Sequence, residues 1–206
     1  MQKHYYIIFQ KMTKNYKIIF AYFSMDEIKD RLGEYKYNFL TKLQNYLDTE
    51  LLFYGSIKRT DYFKNSSDID IIIITDNVKS VLFTVQQYLN INKSEIQKIF
   101  QQYNVKDKGI ISGYKIKYEN DNISFDLLIY DEKNREIVTQ NINDINNLPF
   151  YMIFILYIIK LLYYELHLIP KSMYLYLKNS LFFCYFNNKL CYYKKEKSLT
   201  IMIDNF

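Results

Sequence analysis

The 206-residue chain has little of several things, and each shortage removes a class of protein. It has two cysteines, Cys184 and Cys191, and two histidines, His4 and His167, and these do not fall at metal-ligand spacing. A disulfide scaffold and a zinc site of the usual Cys/His kind are therefore excluded. The cysteines read as packing residues of a reducing compartment, and both histidines as structural. Four glycines, two prolines and one alanine, Ala21, leave no room for a collagenous or Gly/Pro-rich disordered chain. Tryptophan is absent. The apolar run 149–159 spans eleven residues before Lys160, short of the ~20 that a membrane span needs. It reads as a buried core helix, with membrane association the lesser reading. The N-terminus shows no secretory pattern, so a cytoplasmic location is expected.

What is abundant is apolar and aromatic. Half of the residues are hydrophobic and 18% are aromatic, 23 of them tyrosines. That is enough for a large core in one domain with a small helical addition. The Tyr, Ile, Asn, Lys and Phe excess also follows AT-rich codons, as in a large DNA virus or an intracellular parasite. Much of it therefore carries no functional message. The formal charge of +5 is compatible with nucleic-acid or nucleotide binding, but codon bias towards lysine explains it equally well.

Along the chain, residues 1–24 read as an extension ahead of the possible start Met25. Ser24-Met25-Asp26-Glu27 has the form of a capping box, and Ile28, Leu32, Tyr35, Phe39, Leu43 and Tyr46 recur at helical spacing. One helix is predicted over about 25–48, with Gly33 on its exposed side. Strands are predicted at 50–54, 68–75, 109–118 and 123–130, the last two joined as a hairpin by Glu119-Asn120-Asp121-Asn122. Asp76-Asn77 should cap a helix through Leu89, and Ser94-Glu95 a second one to about Tyr103. Residues 133–146 read as a linker or weak helix. Helices follow from Pro149 and over 171–186, and a lysine-rich tail follows Cys191. The expected division is an extension (1–24), a catalytic domain (25–146), a helical region (147–190) and a basic tail (191–206).

One stretch carries chemistry: Phe53 to Thr75, FYGSIKRTDYFKNSSDIDIIIIT. Two carboxylates on an apolar strand cost free energy unless something compensates them. Strand alternation puts Asp68 and Asp70 on one face, ~6–7 Å apart. Like charges at that spacing point to a divalent cation held between them, and Mg²⁺ takes carboxylate and phosphate oxygens together. Asp126, in the apolar strand ISFDLLIY, repeats the puzzle and supplies a third acid. The Gly55-Ser56 pair offers backbone N–H groups and a hydroxyl, a combination suited to phosphate.

The hydrophobic-Gly-Ser pattern, then Ser67-Asp68-Ile69-Asp70, then a single Asp126 on a later strand, resembles the DNA polymerase beta nucleotidyltransferase superfamily. It is most similar to its minimal and poly(A)-polymerase-like members and to small nucleotidyltransferase-like proteins of large DNA viruses. The resemblance covers roughly residues 25–131. It implies an α+β fold, a small mixed β-sheet flanked by helices and followed by a short helical region. It also implies transfer of a nucleoside monophosphate from an NTP to a hydroxyl, on a nucleic-acid 3′ end or a protein. Asp68 and Asp70 would hold two Mg²⁺ (or Mn²⁺) ions and Asp126 one of them. Gly55, Ser56, Lys58, Arg59 and Ser67 would bind the nucleotide. The alternative is a member that kept its acids but lost activity, and that docks a partner or a membrane surface through its apolar C-terminal helices.

Overall fold

The computed structural model describes residues 25–102 and 110–189. The expectations on residues 1–24, on the basic tail, and on His4 and Cys191 therefore lie outside the described residues, as does the Ser24 of the cap pattern.

The described residues open with two helices, α1 (Met25–Leu32) and α2 (Glu34–Leu47). The single helix expected over 25–48 is broken at Gly33, half-buried at φ +78°. A glycine tolerates this left-handed angle, and the break lets α1 turn away from α2. Ile28, Leu32, Leu40 and Leu43 are buried as their spacing requires, while Tyr35 and Tyr46 face solvent. Strands β1 (Leu52–Tyr54), β2 (Ile69–Thr75), β3 (Ile96–Gln102), β4 (Ile110–Glu119) and β5 (Ser124–Asp131) form one sheet in the order β1-β2-β5-β4-β3. Only β2 and β5 pair in parallel; the other contacts are antiparallel. This is the mixed sheet of an α+β fold.

Helix α3 (Val78–Leu89) follows β2, and the Asn77 side chain accepts from the Ser80 N–H as the sequence suggested. The helix expected from Ser94 is instead a single turn followed by β3. Asn92 N–H donates to Glu95 Oε1 at 2.8 Å and closes that turn. Beyond it, Ile96, Ile99 and Phe100 fit helical spacing, but pairing with the open edge of β4 decides the outcome. Helix α4 (Arg135–Asn146) is regular, although its sequence is Asn-rich. Val138, Thr139 and Ile142 are buried, and their packing outweighs weak propensity. Helices α5 (Phe150–Lys160) and α6 (Lys171–Lys189) pack on each other through Leu148, Met152 and Leu156 against Leu181 and Phe182.

Two cores flank the sheet. One joins α1, α2 and α3 to Ile69, Ile71, Ile73, Phe125, Leu127 and Ile129. The other joins α4 to Leu52, Ile72, Ile74, Leu128 and Tyr130. Asp70 and Asp126 share the parity of the second set, so they lie on the α4 face at the N-terminal ends of the parallel pair. Helix α5 is a core helix on one side only. Met152, Leu156 and Ile159 are buried, whereas Phe150 is 80% exposed and Tyr151 and Phe154 lie open beside it. Among the described residues no single helix is long and apolar enough to cross a membrane.

Candidate active site

The site begins where β1 ends. Gly55 has φ +75°, and a Cβ there would lie 2.5 Å from Asp70 Oδ2. The space that the sequence suggested for a phosphate is thus first required by an aspartate. Gly55 starts one tight turn to Lys58. Ser56 is buried within the turn, and Lys58 is half-buried at its end.

The turn is clamped from several directions. Gly55 N–H donates to Asn146 Oδ1 at 2.9 Å, from the end of α4. Arg31 Nη1 of α1 donates to the carbonyls of Ile57 (2.8 Å) and Arg59 (2.7 Å). Arg59, expected to reach phosphate, points inward: Nε and Nη2 donate to the two Asp61 oxygens at 2.8 and 3.0 Å, and Nη1 to the Ile145 carbonyl. Its placement is that of a strut. Lys160, the one charge in the apolar helix, reaches the Asp61 carbonyl at 2.8 Å and Oδ2 at 3.0 Å. Burial pushes the Asp61 carboxyl up, but the Arg59 and Lys160 hydrogen bonds and charges outweigh it and hold it below the usual range. Ser67 is buried, and its Oγ accepts from the Phe63 N–H, closing the loop before β2.

The three acids gather on one edge of this frame. Asp68 is exposed just before β2, and Ser124 Oγ donates to its Oδ1 at 2.7 Å. Asp70 stands directly opposite Asp126 in the parallel register. Burial raises Asp70 to about 6, with Asp126 and Asp68 adding and Lys178 and Lys160 opposing. Asp126 Oδ2 lies 2.6 Å from Lys115 Nζ, while its Oδ1 is buried without a hydrogen-bond partner. The Tyr62 hydroxyl is also buried and unpartnered, and burial, then the Asp68 charge, push it up to about 12.

Carboxylate oxygens alone suit a hard divalent cation, and the orphaned Asp126 oxygen marks where one would be taken up. The residues therefore fit Mg²⁺. Yet no group of three or more His, Cys, Asp or Glu side chains among the described residues is arranged to hold a metal as it stands. The acids are not left entirely to a metal: Lys115 pairs with Asp126, and the charges of Lys178 and Lys160 are felt at Asp70 without an ion pair.

Several participants escaped the sequence reading. Lys160 had a signal, a charge interrupting an apolar run. Asp61 sat inside the quoted stretch between two motifs. Arg31, Lys115, Lys178 and Asn146 carried none, because nothing local distinguishes them from surface residues.

No curated protein matches the chain. Solved structures with partial likeness include the Cid1 poly(U) polymerase with bound MgGTP, 20% identical over 53% of this chain and 33% of that one, TM-score 0.31. A cytoplasmic RNA terminal U-transferase is 21% identical over 68% and 42%, TM-score 0.37. The GLD-2/RNP-8 complex gives 12% over 88% and 77%, TM-score 0.37. The chain thus spans a third to two fifths of the length of the first two. The nucleotidyltransferase domain model matches residues 36–173, well over half of the chain, from α2 through the acids and into α6. By that match the chain belongs to the nucleotidyltransferase domain family, within the DNA polymerase beta-like superfamily.

Proposed function

We propose that this protein transfers a nucleoside monophosphate from an NTP to a hydroxyl acceptor, releasing pyrophosphate. The observation that carries the reading is the register that sets Asp70 opposite Asp126, with one Asp126 oxygen buried and unpartnered. Asp68 and Asp70 would hold two Mg²⁺ ions and Asp126 one of them. Bound there, the ions supply charge stabilisation to the attacking and leaving oxygens of an in-line displacement.

The chain's own residues do the rest. The Gly55–Lys58 turn, fixed by Arg31, Asn146 and Arg59, would meet the nucleotide phosphates with Ser56 and with backbone N–H groups other than that of Gly55, which Asn146 holds. Lys178 of α6 sends positive charge towards Asp70 and offsets part of the repulsion among the carboxylates. Ser124 orients Asp68. The acceptor is a nucleic-acid 3′ hydroxyl or a protein hydroxyl.

The test is incubation of the purified protein with each labelled NTP, Mg²⁺ or Mn²⁺, and panels of RNA and protein acceptors, beside Asp70→Asn and Asp126→Asn. Transfer by the wild type and a loss of ~10³-fold or more in both variants is expected. No transfer to any acceptor, together with no metal-dependent NTP binding, would overturn the reading. A second reading, an inactive member that docks a partner through its C-terminal helices, is favoured by the open aromatic face of Phe150, Tyr151 and Phe154. The same assay separates the two.

A further inference from the structure

Strands β4 and β5 place two lysines on the face that carries Asp126. In their antiparallel register Lys117 is opposite Asp126 and Lys115 opposite Leu128. The directly opposed lysine is not the one that pairs. Lys117 turns to Glu119 at 3.5 Å, and Lys115 reaches diagonally to Asp126 Oδ2 at 2.6 Å. The Lys115 side chain keeps 36% of its surface exposed and the Asp126 side chain 20%. The ammonium therefore has water to leave into, while Asp126 Oδ1 is sealed from it. Asp126 is thus divided, with one oxygen held by an internal cation and the other buried with no partner. Asp68 and Asp70 have no such close cation. A hydroxyl serves Asp68, and no lysine or arginine nitrogen among the described residues lies within ion-pair distance of Asp70.

We propose that Lys115 is a positioning residue that competes with divalent metal for Asp126, so that the two cation positions of the site fill unequally. The position served by Asp68 and Asp70 alone takes its ion first. The position that needs Asp126 fills only when the ion displaces the Lys115 ammonium. This inference rests on the metal-dependent reading above and adds an order of occupancy to it. The physical cause is Coulombic: a unit positive charge within 3 Å of a ligand oxygen disfavours a second cation there, and it also shields the carboxylate from Asp70 until that cation arrives.

The test is binding of Mn²⁺ alone, by electron paramagnetic resonance and calorimetry, to the folded full-length protein and to Lys115→Met, Lys115→Arg, Asp126→Asn and Asp70→Asn. Wild type should show a tighter and a weaker class. Lys115→Met should tighten the weaker class by about tenfold and leave the tighter one unchanged, an effect of the size expected for a group that acts through a ligand. Lys115→Arg, with a fork that grips both carboxylate oxygens, should weaken it further, and this comparison stands if Lys115→Met fails to fold. Asp126→Asn should abolish the weaker class and Asp70→Asn both. If Mn²⁺ binds and Lys115→Met and Lys115→Arg leave both classes as in wild type, the inference fails and the metal reading survives. If neither wild type nor any variant binds Mn²⁺, with or without an NTP present, both fall together.

Discussion

Asp61 and Asp70 are both drawn into the interior, yet burial leaves them in opposite states. Asp61 lies in the loop after β1, where Arg59 and Lys160 spend three hydrogen bonds on its carboxylate, and it is held acidic. Asp70 lies at the start of β2 among other acids and is raised to about 6. The same residue type, desolvated in both places, thus gives a strut in one and a loaded charge in the other. The partner decides which. Compensation within the fold marks the scaffold, and its incompleteness at Asp70 and Asp126 marks the place prepared for something from outside.

The comparison breaks most visibly at Asp61. Asp61→Asn leaves Arg59 and Lys160 buried with no countercharge. It should cost ~3–5 kcal/mol, a drop on the order of 10 °C in a thermal melt at pH 7. A midpoint within two degrees of wild type would show that this triad is not a strut.

Gly55 links the two regions, and it should come next. Gly55→Ala forces a Cβ against Asp70 Oδ2 at a left-handed φ, so a loss of roughly 1–3 kcal/mol is expected. Adding Asp70→Ala should return part of that loss, because the clashing partner is gone. Simple additivity in chemical denaturation would refute the contact as its cause.

Asp70→Asn should move stability the other way. It keeps the shape, removes one of three like charges, and should raise stability at pH 7 by ~1 kcal/mol. The pH dependence fixes the sign. A carboxyl raised to about 6 in the folded state, against about 4 unfolded, keeps its proton longer in the fold. Wild-type stability should therefore fall as pH rises from about 4 through 6, and the decline should be shallower in Asp70→Asn. Melts across that range decide it, and a mutant less stable than wild type at pH 7 would place Asp70 with the struts.

The smallest effect belongs to a pair outside both regions. Lys117 and Glu119 are largely exposed at 3.5 Å, and Lys117→Gln should change stability by less than about 0.5 kcal/mol. A larger change would mean that Lys117 also serves Asp126.

How far the sequence could be read follows the same division. Four of the five strands, and the acids at Asp70 and Asp126, were legible because period-two alternation is a local property, and a charge in an apolar strand stands out. The cap at Asn77 was legible for the same reason. What was not legible depended on distant partners. Gly33 breaks a helix that its neighbours alone would have continued. Ile96–Gln102 becomes a strand because β4 offers an edge. Arg59 looked like a phosphate ligand until Asp61, Ile145 and Lys160 were set around it. Lys115 was one lysine among many, and only the register of the hairpin brings it to Asp126.

The parallel pairing of β2 with β5 has a consequence in time. Hairpin strands β4 and β5 are neighbours in sequence and can pair as soon as both exist, whereas β2 must wait until α3, β3 and the hairpin have all emerged and folded back. Asp70 and Asp126 therefore meet late. In refolding followed by pulsed hydrogen exchange, amides shared by β4 and β5 should become protected before those shared by β2 and β5, and the reverse order would contradict this. A chain halted before β5 would carry two of its three acids and no centre, so partly made molecules would be chemically silent.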